Sequence, residues 1–104
     1  MGGLRHLQRL NLSGNRLARL PDALGDLPAL TELDLRNNVL THLPPSLGHA
    51  TRLTSLDLRG NRLRSLPGSL SDLPNLQHLD LRWNKLVDAT GLDRLERRGC
   101  RVLR

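Results

Sequence analysis

The side chains best suited to charge recognition recur at a fixed interval. Asp34, Asp57 and Asp80 lie 23 residues apart, and each is followed two positions later by an arginine: Arg36, Arg59 and Arg82. Side by side, such columns form an acidic ladder beside a basic one, a surface that can orient a charged partner. Catalysis is a poorer fit. The histidines His6, His42, His49 and His78 fall at different points of the interval, and Ser13 and Ser55 occupy loop-side or strand-surface positions. No G-x-S-x-G, Walker A, H-E-x-x-H or glycine-rich phosphate loop occurs. The single Cys100 cannot close an internal disulfide, and no C-x-x-C or Cys/His cluster points to zinc. The expectation is therefore a non-enzyme with no catalytic residues, no metal and no cofactor.

The elements that position these charges follow from the same interval. Leu7, Leu30, Leu53 and Leu76 share one column; Leu10, Leu33, Leu56 and Leu79 the next; Leu12, Leu35, Leu58 and Leu81 a third. Asn15, Asn38, Asn61 and Asn84 form a further column, as do Leu17, Leu40, Leu63 and Leu86. Leu20, Leu43 and Leu66 are each followed by proline, and Leu24, Leu47 and Leu70 complete an L-P-x-x-L segment. Leucine fills 28 of the 104 positions, while Trp83 is the sole aromatic residue. A core built from one side chain suits a structure that solves one packing problem repeatedly. In L-x-L the leucines alternate with a polar residue, as a strand buried on one face requires. Such strands, if parallel, need a crossover, and the remainder of each turn supplies it. The proline ends the strand segment, and leucines three or four apart in 22–27 and 68–73 predict one turn of α- or 3₁₀-helix on the return.

These columns resemble the leucine-rich repeat family, L-x-x-L-x-L-x-x-N-x-L, in its 23-residue L-P-x-x-L variety, over about Leu4 to Leu103. That variety is common in intracellular signalling scaffolds and bacterial proteins. The resemblance implies an α/β fold: a right-handed solenoid, or horseshoe arc, with a short parallel concave sheet and an irregular, 3₁₀ or short helical convex side. One domain is expected over 1–104, with repeats starting near 7, 30, 53 and 76.

A tight coil leaves backbone amides and carbonyls pointing inward at each bend, and they must be paired. An asparagine amide carries both donor and acceptor, so the asparagine column is expected to bridge neighbouring turns rather than bind a ligand. At the C-terminal end Ala89-Thr90 replaces Leu-Pro, and 91–98 reads as a short amphipathic helix within a cap over 90–104. Thr90 is the expected N-cap and Gly99 the residue just past the helix, with Cys100 to Leu103 as a last edge strand. The N-terminal end starts partway through a repeat. It is expected to be uncapped, as in a fragment, and to favour self-association through exposed leucines.

Against this background few positions vary. On the concave face the non-leucine positions are Arg9, Asn11 and Ser13 in the first turn and Glu32, Asp34 and Arg36 in the second. Ser55, Asp57 and Arg59 follow in the third, and His78, Asp80 and Arg82 in the fourth. Trp83 stands where the other turns have Gly14, Asn37 and Gly60. Two roles are open to it: an interface anchor beside Arg82, or packing on Gly60 or the C-terminal cap. The expected partner-binding residues are Arg9, Glu32, Asp34, Arg36, Asp57, Arg59, His78, Asp80, Arg82 and Trp83, and the expected function is binding another protein on the concave face.

The formal charge of +6 arises elsewhere, from Arg16, Arg19, Arg62, Arg64 and Lys85 past the asparagines and from Arg94, Arg97, Arg98, Arg101 and Arg104. An electrostatic module for nucleic acid or an anionic surface, using that edge and the C-terminal stretch, is the alternative. Nucleic acid is the poorer expectation, because single-strand binders add aromatic stacking platforms and only Trp83 is available. With no signal peptide and no membrane span, the expected setting is soluble and cytoplasmic.

Overall fold

The structure is a computed structural model that describes residues 4–104. Five three-residue strands, β1 (Arg9–Asn11), β2 (Glu32–Asp34), β3 (Ser55–Asp57), β4 (His78–Asp80) and β5 (Arg101–Leu103), form one parallel sheet in sequence order. Pairing keeps the 23-residue register, with Leu10 opposite Leu33, Leu33 opposite Leu56 and Leu56 opposite Leu79. The central leucine of β1 to β4 therefore always faces inward. Hydrogen bonding continues past the strands: the amides of Leu12, Leu35 and Leu58 donate to the carbonyls of Asp34, Asp57 and Asp80 at 2.8, 2.8 and 2.9 Å. The return segments form 3₁₀ turns at Asp22–Asp26, Pro45–His49 and Gly68–Asp72, each preceded by the proline of L-P-x-x-L at φ near −66°.

Between sheet and 3₁₀ turns lies a core of leucines, with Leu30, Leu35, Leu40, Leu47, Leu53, Leu58 and Leu63 wholly inaccessible. The first turn is the least covered: Leu7, Leu10, Leu12 and Leu17 are only partly buried and Leu4 is exposed. The 3₁₀ turns stack closely because a column of small residues, Gly25, Gly48 and Ser71, separates them. A Cβ on Gly25 would lie 2.0 Å from the Ser46 carbonyl oxygen. Hydroxyls tie these turns together, Ser46 donating to the Asp22 carbonyl (3.1 Å) and Ser69 to that of Pro45 (2.7 Å).

At the C-terminal end the helix α1 (Leu92–Arg97) buries Leu92 and Leu95 against the last turn. Thr90 is not its N-cap. The residue before the helix is Gly91 at φ 93°, without a side-chain cap, and the Thr90 amide and hydroxyl instead bond to the Asp88 carboxylate. The left-handed Gly91 turns the chain between Thr90 and the helix, so the threonine cannot reach the first helical amides. The helix ends in a Schellman motif: Gly99 at φ 93° donates to the Glu96 carbonyl, and Cys100 to that of Leu95. Cys100 is buried, which pushes its thiol pKa upward. β5 then pairs with β4, Val102 opposite Leu79.

Candidate concave recognition surface

Each bend is built from an asparagine. The Asn38 side-chain nitrogen donates to the carbonyls of Leu12 and Leu35 at 3.0 Å each, while its oxygen accepts from the Leu17 amide at 3.1 Å. Asn61 repeats this one turn later with Leu35, Leu58 and Leu40 (2.9, 3.0 and 3.1 Å). Asn84 does the same with Leu58, Leu81 and Leu63. Asn38 and Asn61 are buried. Among the described residues no buried side-chain nitrogen or oxygen lacks a partner. Asn38, Asn61 and Asn84 thus hold turns together, their amides engaged within the fold.

Above them the Asp and Arg columns interlock. Asp34 Oδ1 accepts from the Arg36 backbone amide at 3.1 Å, and the guanidinium clasps the same carboxylate from Nε and Nη2 (3.0 and 2.8 Å). Asp57–Arg59 and Asp80–Arg82 have the same geometry. Each aspartate thus caps the end of its strand as well as pairing a charge. In the first turn Asn11 does the capping alone, accepting from the Ser13 amide at 2.9 Å. The arginines also reach forward: Arg36 Nε lies 3.7 Å from Asp57 and Arg59 Nε 3.3 Å from Asp80. Partial burial raises the Asp34 and Asp80 carboxyls, but hydrogen bonds from Arg36 and Arg82 outweigh it and leave both below the usual carboxylate range. The carboxylates in turn raise the guanidinium pKa of Arg36, Arg59 and Arg82.

The varied positions form a row along one side of this lattice. Arg9, Glu32, Ser55, His78 and Arg101 are neighbours in register, and Arg9 Nε pairs with Glu32 at 3.3 Å. A shallow depression of about 330 Å³ opens between Arg9, Glu32, Asp34, Ser55 and Asp57. A second, of about 170 Å³, lies between Ser55, Asp57, His78, Asp80 and Arg101. The ten residues expected to bind a partner therefore lie along the strands or just beyond them. His42 and His49 lie elsewhere, His42 bonded to Thr41 and His49 beside Asp26. Among the described residues no group of three metal-ligating side chains exists, and no helix is long and apolar enough to cross a membrane.

Trp83 is 71 % exposed, with the Arg82 guanidinium 5.8 Å from its ring centroid. Its backbone is left-handed at φ 60°, as is that of Gly14 (71°), Asn37 (57°) and Gly60 (70°). That column's Gly and Asn are the residues a positive φ favours, a signal the sequence carried and column-by-column polarity overlooked. Val87, 74 % exposed, also escaped notice. Several C-terminal arginines have partners within the chain: Arg98 donates to the Ser71 and Leu73 carbonyls, while Arg94 with Asp72 and Arg104 with Glu96 form exposed surface pairs.

Comparison with known proteins agrees with this geometry. A leucine-rich repeat family model matches residues 1–40 and 30–86. Among solved structures, a leucine-rich repeat protein of Leptospira interrogans is 36 % identical with a TM-score of 0.82 over 92 % of the chain. Internalin C2 of Listeria monocytogenes is 29 % identical with a TM-score of 0.72 over 86 %. The chain spans 25 % of the length of the first and 38 % of the second. No curated protein matches it. Leucine-rich repeat domains generally serve protein–protein interaction and are typically non-enzymatic. With parallel strands in a 23-residue register, Asn38, Asn61 and Asn84 bridging successive turns and a family model matched over most of its length, the chain belongs to the leucine-rich repeat family.

Proposed function

We propose that this domain recognises another protein on its concave face, without catalysis. The observation that carries the reading is the interlocked Asp34–Arg36, Asp57–Arg59 and Asp80–Arg82 lattice. Its side chains are already ordered by mutual hydrogen bonds, so a partner docking on them loses little additional rotamer freedom. The constant lattice supplies a rigid floor, and the varied row of Arg9, Glu32, Ser55 and His78 supplies the discrimination. Trp83 adds a large aromatic contact at the end of the lattice. Depressions this shallow do not exclude water as an active site requires. Self-association through the partly covered leucines of the first turn belongs to the same proposal, and sedimentation over a wide concentration range tests it.

The test is affinity capture from lysate of the source cell at two salt concentrations, with and without nuclease, using the wild type and a Glu32→Arg/His78→Ala variant. Capture that survives nuclease and moderate salt and is lost in the variant supports the reading. Capture that disappears with nuclease supports electrostatic binding of nucleic acid instead.

A further inference from the structure

The Asp and Arg ladders of the concave face neutralise each other within the fold, but charges on the neighbouring edge are not paired. Arg62, Arg64 and Lys85 surround an open depression of about 480 Å³, together with Thr41 and Val87. Among the described residues none of the three cations forms an ion pair or donates a side-chain hydrogen bond. Asp88, next in sequence to Val87, turns its carboxylate to the Thr90 amide and hydroxyl. The depression is therefore walled by positive charge, and its lining is aliphatic: Val87 and the methylene stems of the arginines and lysine.

A second observation concerns a near neighbour of Lys85 in sequence. Trp83, two residues before Lys85, is held at φ 60° where the other turns carry glycine or asparagine, and it remains 71 % exposed. A left-handed bulky residue is strained, and such strain concentrates at binding sites. The Arg82 guanidinium lies over its ring. Trp83 and Val87, with Leu4, are the exposed large apolar residues among the described ones, and the first two flank Lys85 in sequence. At the depression itself, charge without counter-ions meets the exposed Val87.

We propose that this edge binds an acidic peptide segment of a partner protein, with carboxylates on Arg62, Arg64 and Lys85 and an apolar side chain against Val87 or Trp83. The proposal rests on the chain being a protein-recognition module and names the chemistry of the partner. A polynucleotide is less well matched, because it would ask for several aromatic platforms and this edge has one. An anionic membrane surface is the competing outcome that the vesicle arm of the experiment reads.

The experiment is selection of a random-peptide phage library on the folded wild-type chain. Selected peptides are then titrated by the fluorescence of Trp83, the sole tryptophan. Oligothymidine and phosphatidylserine vesicles are run beside them as probes. The expected result is a consensus combining Glu or Asp with an apolar residue, whose affinity falls about tenfold or more in an Arg62→Glu/Arg64→Glu/Lys85→Glu variant. Circular dichroism verifies that this variant is folded, and a Lys85→Glu single variant gives the same direction of effect. A consensus without acidic residues, or one the triple variant still binds, overturns the proposal. So does tighter binding of oligothymidine or of the vesicles. Peptides lost in Glu32→Arg/His78→Ala but kept by the triple variant leave the concave reading standing and remove this one. No selectable peptide at all overturns this proposal and leaves the concave reading to its own capture test.

Discussion

Arg59 Nε lies 3.3 Å from Asp80 Oδ2, across the boundary between two turns. Because Arg59 also clasps Asp57 of its own turn at 2.6 Å, one guanidinium serves two carboxylates and the lattice couples successive turns. Each strand end is thereby fixed relative to the next.

That coupling has a pH signature. Asp34 and Asp80 have carboxyl pKa values below the ordinary one, with the hydrogen bonds of Arg36 and Arg82 overcoming the opposing effect of burial. A carboxyl depressed in the folded state contributes stability that is fully present above its unfolded pKa of about 3.9 and lost as pH falls through the folded value. The chain should therefore lose stability below about pH 4, and Asp34→Asn/Asp80→Asn should flatten that loss. Because the arginines are partly exposed, salt should shrink the effect. Chemical denaturation at pH 3 to 7, with and without added salt, measures it.

The asparagine column predicts a gradient. Asn38 and Asn61 are buried with both polar atoms engaged, Asn84 is half-buried, and Asn15 is exposed and bonds only to Leu12 and Ser13. Leucine at 38 or 61 should lower stability by about 2–3 kcal/mol, since the bend's amide and carbonyls lose their partner. Asn15→Leu should cost well under that amount. Equal melting midpoints for all three variants would contradict the bridging role.

Trp83→Asn should stabilise the isolated domain by about 1 kcal/mol, because asparagine tolerates the left-handed backbone that tryptophan adopts under strain. Trp83→Ala should leave stability nearly unchanged, in contrast to a tryptophan packed in a cap. Urea denaturation of the three proteins discriminates these outcomes.

Gly25→Ala should destabilise by about 2–3 kcal/mol, since its Cβ would meet the Ser46 carbonyl oxygen at 2.0 Å and backbone would have to move. Gly68→Ala meets nothing within 4 Å and serves as the control. Thermal unfolding of the pair checks the spacing of the 3₁₀ turns.

How far the fold was legible in the sequence depended on which force set each column. The leucines, the asparagines and the prolines answer to burial and backbone pairing, which leave a periodic trace, and each lies where the 23-residue interval put it. The column of Gly14, Asn37, Gly60 and Trp83 carried an equally plain trace of positive φ, but the tryptophan concealed it by its size. Gly25, Gly48 and Ser71 also recur at 23 residues, yet only the approach of neighbouring 3₁₀ turns gives their smallness a purpose. Thr90 is a capping residue type, but the left-handed glycine that follows it keeps its side chain from the start of the helix. For the recognition surface, sequence placed the ladders on one face; the forward reach of each arginine depends on side-chain geometry that no spacing encodes.

The central claim is that a partner protein docks on the concave strand face. Site-specific photo-crosslinking tests it most directly, with a photoreactive amino acid placed in turn at Glu32 and His78 on the strands and at Asp26 and Asp72 on the convex turns, all exposed positions. The account predicts a discrete crosslinked protein band from the two strand positions and none from the convex pair. A band of equal intensity from Asp26 or Asp72, or none from Glu32 and His78 while capture persists, would contradict it.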